Sequence, residues 1–255
     1  MPIAGGIEIM LILGIDTATP WGTMALCRDE EVLFEVTLCK LKGGGEYLLA
    51  LLEQLMDTAG IGFKEIDLIA VGTGPGSYTG IRVGLAAVSG LAEGLQVPVY
   101  PLSTLEIIAE NCRRASRWVV PAIDARRAEV YTALYESTPE GLREVRPPAA
   151  RPVAEWAQSL SDFPEIMVCG DGSKEYFDIW NGYTNITIAP AYWDRPLGSL
   201  AAQCARRDWK PDSQQGNLLK PSYLKRVEAE IRLEEAKDGK NSNHADDTGG
   251  CGIGR

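Results

Sequence analysis

The stretch GTGPGSYTGIRVG, Gly72–Gly84, follows the apolar run LIAV and leads into small residues at helical spacing. Five glycines and one proline in thirteen residues at such a junction raise the question of a phosphate cradle. Backbone N–H groups and a helix N-terminus placed there attract anions. Two familiar cradles do not fit. A Walker A loop closes on Gly-Lys-Ser/Thr, whereas this stretch runs Thr79-Gly80-Ile81-Arg82, with no lysine between Lys64 and Lys174. A dinucleotide fingerprint reads G-x-G-x-x-G, and Gly74, Gly76 and Gly80 miss it by one residue. The other reading is a tight connection in which Gly74-Pro75-Gly76 turns the chain and Ser77 or Thr79 caps the helix. Either way a buried strand runs directly into a helix, the building unit of α/β folds.

Working outward, LILGID, Leu11–Asp16, reads as a buried strand, and TMALCRD and EVLFEVTL form a hairpin around Asp29-Glu30-Glu31. A helix is expected over about 46–59, a second buried strand from Leu68, and a helix from Thr79 to about Gly94. A short strand, VPVYPL, then precedes a helix capped by Ser103-Thr104 and running through Ala115. The second half opens with RWVVPAIDARRAEVYTALYE, two strands around the polar turn Asp124–Ala128, with a third strand over Arg143–Val145. Helices near 153–160, 174–180 and 197–208 flank the strand IMVCGDG. The order of elements is used twice without a residue-level repeat, which predicts two related lobes with mixed sheets. The expected boundaries are an extension over 1–9, with Met10 as an alternative start, a first lobe over 10–108 and a second over 109–232. The C-terminal segment of the second lobe returns to the first, and residues 233–255, polar and glycine-rich, form a disordered tail.

The 255 residues carry a net charge of −10, so the chain should not hold nucleic acid tightly by itself, because Lys and Arg supply most non-specific affinity. Six cysteines without a CxxC or close pair fit reduced structural thiols. No signal peptide and no apolar run of membrane-spanning length is found, which predicts a cytoplasmic protein. The sole histidine, His244, lies in the tail. That excludes a Ser-His-Asp triad, a Cys-His pair and any histidine-based metal site in the folded part. Asp16-Thr17, at the end of the first strand, could hold a hydrated Mg²⁺ or simply order a turn. Asp124, Arg126, Arg127 and Glu129 crowd one hairpin tip and read as a solvated charge cluster. In the helix over 46–59 the apolar arc spans about 200°, and Tyr47, Leu48, Leu51 and Leu55 fall within it. On the helix from Thr79, Gly80, Gly84, Ala87 and Leu91 share one side. Internal packing and a helical dimer interface both account for this excess.

Four segments in order carry a resemblance: LGIDTAT (Leu13–Thr19), GPGSYTGIRVG (Gly74–Gly84), Asp124-Ala125-Arg126 with Glu129-Val130-Tyr131, and PSYLK (Pro221–Lys225). Together they resemble the TsaB (YeaZ) family, the dimerisation subunit of the bacterial tRNA threonylcarbamoyladenosine machinery, over about 11–230. The resemblance implies an actin-like ATPase (ribonuclease H-like) fold. It also implies a catalytically silent paralogue of TsaD, the subunit that modifies adenosine 37 of tRNAs reading ANN codons. TsaD-like proteins carry an HxxxH metal pair that this chain lacks, so no catalytic residue and no metal are expected. Two first-lobe helices would bind a TsaD-like subunit, with Tyr47, Leu48, Leu51, Leu55, Gly80, Gly84, Ala87 and Leu91 as interface candidates chosen by helical projection. A TsaE-like ATPase would be a third partner, tRNA would be reached only through the complex, and homodimers would form without the partner. No cofactor is implied beyond weak or vestigial ATP/ADP binding at Asp16, Thr17, Gly74 and Gly76. The chain departs from the family at Gly43-Gly44-Gly45-Glu46, where relatives start the helix with a His-Ser-Glu style sequence. The alternative is a stand-alone ATP-dependent phosphotransferase of the sugar-kinase type, suggested by Asp16-Thr17 and the glycine turn.

Overall fold

The computed structural model describes residues 9–39, 44–211 and 219–225. In the first half, strands β1 (Leu11–Asp16), β2 (Trp21–Arg28) and β3 (Glu31–Cys39) form an antiparallel meander. Helix α1 (Gly44–Ala59) leads to β4 (Leu68–Gly72), parallel to β1. Helix α2 (Tyr78–Leu95) then leads to β5 (Val99–Leu102), parallel to β4, and α3 (Thr104–Glu110) follows. The sheet order is β3-β2-β1-β4-β5.

The second half repeats this plan. It runs through β6 (Trp118–Asp124), β7 (Glu129–Ser137), β8 (Leu142–Pro152), α4 (Val153–Ser159), β9 (Ile166–Cys169), α5 (Asp171–Glu175), α6 (Phe177–Asn181), β10 (Ile186–Ile188) and α7 (Gly198–Asp208). Its sheet order is β10-β9-β6-β7-β8. In both sheets the first strand of the half is central, the second and third pair antiparallel on one side, and the fourth and fifth pair parallel on the other. Two such sheets make the actin-like, ribonuclease H-like fold.

All six residues of β1 are buried because helices cover both faces of its sheet. Alternation sends Leu11, Leu13 and Ile15 toward α1 and α2, where Leu48, Leu52, Met56, Ile81, Leu85 and Val88 meet them. Ile12 faces the other way, with Ala25, Leu68 and Ala70, against Ala201, Ala202 and Ala205 of α7. The helix that follows β10 therefore packs on the first sheet. Reciprocally, Leu105, Ile108 and Ala109 of α3, the helix that follows β5, pack with Val119, Ile123 and Ala133 of the second sheet. The boundary expected after residue 108 falls inside α3. At the α7 crossing Gly14 and Gly198 stand back to back, and a Cβ on Gly14 would overlap the Gly198 carbonyl oxygen. Glu35 of β3 caps α7, accepting hydrogen bonds from Ser199 N and Ser199 Oγ at 3.0 Å each.

Several elements differ from expectation. The strand β8 runs eleven residues instead of three, because an edge strand accommodates Pro147 and Pro148, which look like breakers in sequence. Helix α3 stops at Glu110, the helix expected near 174–180 is two short ones, and the three-residue β10 carries too little pattern to be foreseen. The tail over 233–255 and residues 1–8 of the extension lie outside the described residues.

Gly14→Ala should destabilise the protein by about 3 kcal/mol or more through overpacking against α7. Gly90→Ala, on an exposed helical position with open space around it, should leave stability unchanged or raise it by about 0.5–1 kcal/mol. Chemical denaturation of both variants checks this.

Candidate functional site

A cleft of about 620 Å³ lies between the lobes. The β1–β2 turn (Thr17, Ala18, Thr19, Pro20) and the start of α2 (Ser77, Thr79, Gly80, Val83) line one side. Ile123, Asp124, Ala125, Arg126, Tyr131 and Asp171 line the other.

Asp16 does not face this cleft. Its carboxylate is completely buried, with Oδ2 accepting from Thr104 Oγ1 at 2.6 Å and Oδ1 accepting from Ala18 N at 2.8 Å. Burial pushes its pKa up to about 6, against the lowering effect of these two hydrogen bonds. Thr17 donates its hydroxyl to Gly80 O at 2.7 Å, tying the turn to α2.

The glycine turn is filled by the chain itself. Ser77 N donates to Ala18 O at 2.6 Å and Gly74 N donates to Thr104 Oγ1 at 3.2 Å. Gly80 N donates to the capping Ser77 Oγ at 3.2 Å. Gly74 takes φ +101°, a conformation that favours glycine. Three N–H groups of the turn and helix start, those of Gly74, Ser77 and Gly80, are thus spent on Thr104, Ala18 and Ser77. Of the four residues put forward for nucleotide binding, Asp16 and Gly74 lie away from the cleft, and Thr17 and Gly76 line it.

Across the cleft the charged hairpin tip is tied down by hydrogen bonds. Asp124 Oδ1 accepts from Arg126 N and from Tyr176 OH, both at 2.8 Å, and Asp124 N donates to Asp171 Oδ1 at 2.9 Å. Burial raises the pKa of Asp171, and burial followed by the bond to Asp124 pushes that of Tyr176 to about 12. Arg126, Arg127 and Ala128 all hold positive φ, at +66°, +58° and +57°, a run that costs side-chain-bearing residues roughly 1–2 kcal/mol each. The Arg126 and Arg127 side chains are exposed, as a solvated cluster would be, while Asp124 ties the tip to Tyr176 and Asp171. Thr104 and Tyr176 escaped sequence reasoning, being separated from their partners by 88 and 52 residues. Thr104 was visible only as a helix cap, a role that belongs to Ser103.

The interface candidates divide by face. Leu48 is buried in the core. Gly80 and Gly84 face inward, where a Cβ would overlap Thr17 O and Thr17 Oγ1 respectively. Leu48 and Gly84 are packing residues rather than surface, and Gly80 is half-buried at the cleft edge, where α2 approaches the β1–β2 turn closely. Leu51, Leu55, Ala87 and Leu91 are half-buried at the edge of the same core, and the side chain of Tyr47 lies outside the described part. The face that the two helices expose carries Leu49, Ala50, Glu53, Arg82, Ala86, Ser89, Gly90 and Glu93. Among the described residues no group of three or more His, Cys, Asp or Glu is placed to hold a metal ion, and no helix is long and apolar enough to cross a membrane.

The family model "TsaD: tRNA N6-adenosine threonylcarbamoyltransferase" matches residues 45–177. The tRNA threonylcarbamoyladenosine biosynthesis protein TsaB of Bacillus subtilis (strain 168) is 31% identical over 89% of this chain and 100% of its own. The protein of the same name from Escherichia coli (strain K12) is 38% identical over 52% of this chain and 58% of its own. Among solved structures, YeaZ from Pseudomonas aeruginosa superposes with a TM-score of 0.69 at 26% identity, covering 85% of this chain and 100% of that one.

The buried carboxylate predicts a pH dependence. Asp16 binds its proton more tightly in the folded state, with a pKa of about 6 against 3.8, so its contribution to stability is greatest below about pH 4 and declines as pH rises to 6. The decline is on the order of 3 kcal/mol. Unfolding free energies measured from pH 4 to 7 should show this slope in the native chain, and Asp16→Asn should flatten it.

Proposed function

The chain belongs to the TsaB family, and we propose on that premise that it is a non-catalytic scaffold in the formation of N6-threonylcarbamoyladenosine at position 37 of tRNAs reading ANN codons. It binds a TsaD-type catalytic subunit through α1 and α2 of the first lobe. The observation that carries this reading is the state of the inter-lobe cleft. A phosphotransferase needs a carboxylate free to hold Mg²⁺ on the phosphates, and backbone donors aimed at them. Here Asp16 is sealed against Thr104 and Ala18, Asp124 and Asp171 are engaged by Tyr176 and the backbone, and the glycine turn bonds to Ala18 O. The HxxxH metal pair of TsaD-like proteins has no counterpart, since His244 is the only histidine; the same lack argues against a metallopeptidase.

In this reading the chain works in the cytoplasm beside a TsaE-like ATPase, and any ATP or ADP in the cleft is weakly held and not turned over. With a net charge of −10, the chain reaches tRNA only through its complex. Without the catalytic subunit, the exposed face of α1 and α2 pairs with a second copy.

The test is threonylcarbamoyladenosine formation in a reconstituted mixture of the adenylate synthase, a TsaD-type subunit and a TsaE-type ATPase, with the chain added or omitted. Strict dependence on the chain, with no product from it alone, is expected. Full activity without it would refute the reading, and ATP turnover by the pure chain, abolished in Asp16→Asn, would favour the phosphotransferase. Ala86→Arg, on the exposed face, should weaken subunit binding at least tenfold in a folded chain. Gly84→Arg, placed against Thr17, should instead unfold it.

A further inference from the structure

Arg82 is the only basic residue of α1 and α2, whose other charged residues are Glu46, Glu53, Asp57 and Glu93. An exposed arginine ordinarily samples many rotamers, but this one is clamped. Its guanidinium lies 3.9 Å from the centroid of the Tyr78 ring, and its Nε donates to Tyr223 OH at 2.9 Å. The two tyrosine rings are 5.1 Å apart. Tyr223 is itself anchored, because neighbouring Ser222 donates its N–H to Thr73 O at 2.8 Å and Leu219 packs on the first-lobe core. The segment at 219–223 thus holds Arg82 in place at the N-terminal end of α2.

At about 100° per residue, Arg82, Ala86, Ser89 and Glu93 fall within about 60° of one another, with Gly90 beside them. All five are exposed. Arg82 and Glu93 stand about 16 Å apart along the axis, and only small residues separate them on that face. We propose that Arg82 and Glu93 are the two ends of a charge code that sets the register of a partner helix on α2. The helix that fits carries an acidic side chain opposite Arg82, small residues opposite Ala86 and Gly90, and a basic side chain opposite Glu93. The proposal rests on the reading that a TsaD-type subunit docks on α1 and α2, and takes that subunit as the occupant. A clamped guanidinium loses little freedom on meeting a carboxylate, and arginine and tyrosine are the residue types that dominate interface energetics. Glu53 and Asp57 on α1 extend the acidic side, so a partner that is basic except opposite Arg82 is selected, and one acidic throughout is rejected.

The experiment is titration calorimetry of the full chain with the TsaD-type subunit at two salt concentrations, for the native sequence, Arg82→Glu, Glu93→Arg and the double reversal. Thermal unfolding verifies each fold, and Arg82→Gln stands in should Arg82→Glu fail to fold. Each single reversal is expected to weaken binding at least tenfold, the double reversal further still, and the native affinity to fall with salt. Native binding that all the reversals leave within twofold would overturn the charge code while the docking reading stands. No binding by the native chain would instead overturn the docking reading. Light scattering on the chain alone supplies the remaining arm. In an antiparallel pair of copies Arg82 faces Glu93, so self-association lost in each single reversal and restored in the double, with binding of the TsaD-type subunit unchanged by the reversals, would reassign the charge pair to a second copy and overturn the proposal.

Discussion

One buried carboxylate joins the parts of this molecule that matter most. Asp16 ends β1, accepts a hydrogen bond from Thr104 at the start of α3, and accepts another from Ala18 in the turn beneath the cleft. Thr104 in turn accepts from Gly74 N, so the glycine turn, the central strand and the helix that crosses to the second sheet share one network. A buried charge is tolerated only when its oxygens are bonded, and here both are. A Cβ on Gly72 would overlap Asp16 Oδ2, so the neighbouring strand is shaped around this group. The same bonds that secure the junction withdraw Asp16 from the cleft.

The lobes are also joined by exchange. Each half sends its last helix to the other half's sheet, α3 to the second and α7 to the first. The alanines of α7 keep that helix thin enough to lie against β1, where Gly14 and Gly198 touch. Neither sheet is covered on both faces without the other half, so the lobes are expected to unfold as one unit. The duplication survives in strand order and direction alone, because layered packing constrains which elements meet while leaving the apolar residues interchangeable.

What the sequence discloses follows the same logic. Leu11–Asp16, Leu68–Gly72 and the helix after Ser77 were legible because periodicity and turn chemistry are local. The three residues of β10 and the proline-bearing β8 were not, since one is too short for a pattern and the other depends on its place at a sheet edge. In the candidate site, Asp16 and Gly74 were visible as residues but not as partners, because Thr104 lies 88 positions from Asp16. Projection placed Gly80, Gly84, Ala87 and Leu91 on one side of α2, yet it could not tell that the β1–β2 turn would meet that side. Thr17 takes the side of Gly80 and Gly84.

That division bears on function. A glycine within a helix costs about 1 kcal/mol relative to alanine, and for Gly80 and Gly84 the close approach of Thr17 supplies the reason. Gly90 and Gly94 have no such neighbour: a side chain at either position would meet nothing within 4 Å. Among the described residues, internal packing gives no return for those two glycines. A surface that is small and open on α2, beside an exposed Leu49 on α1, is instead what a second helix requires for backbone-close packing. The approach of Thr17 accounts for the glycines on one face of α2, and the small, open residues of the other leave room for the backbone-close packing that the proposed partner helix needs.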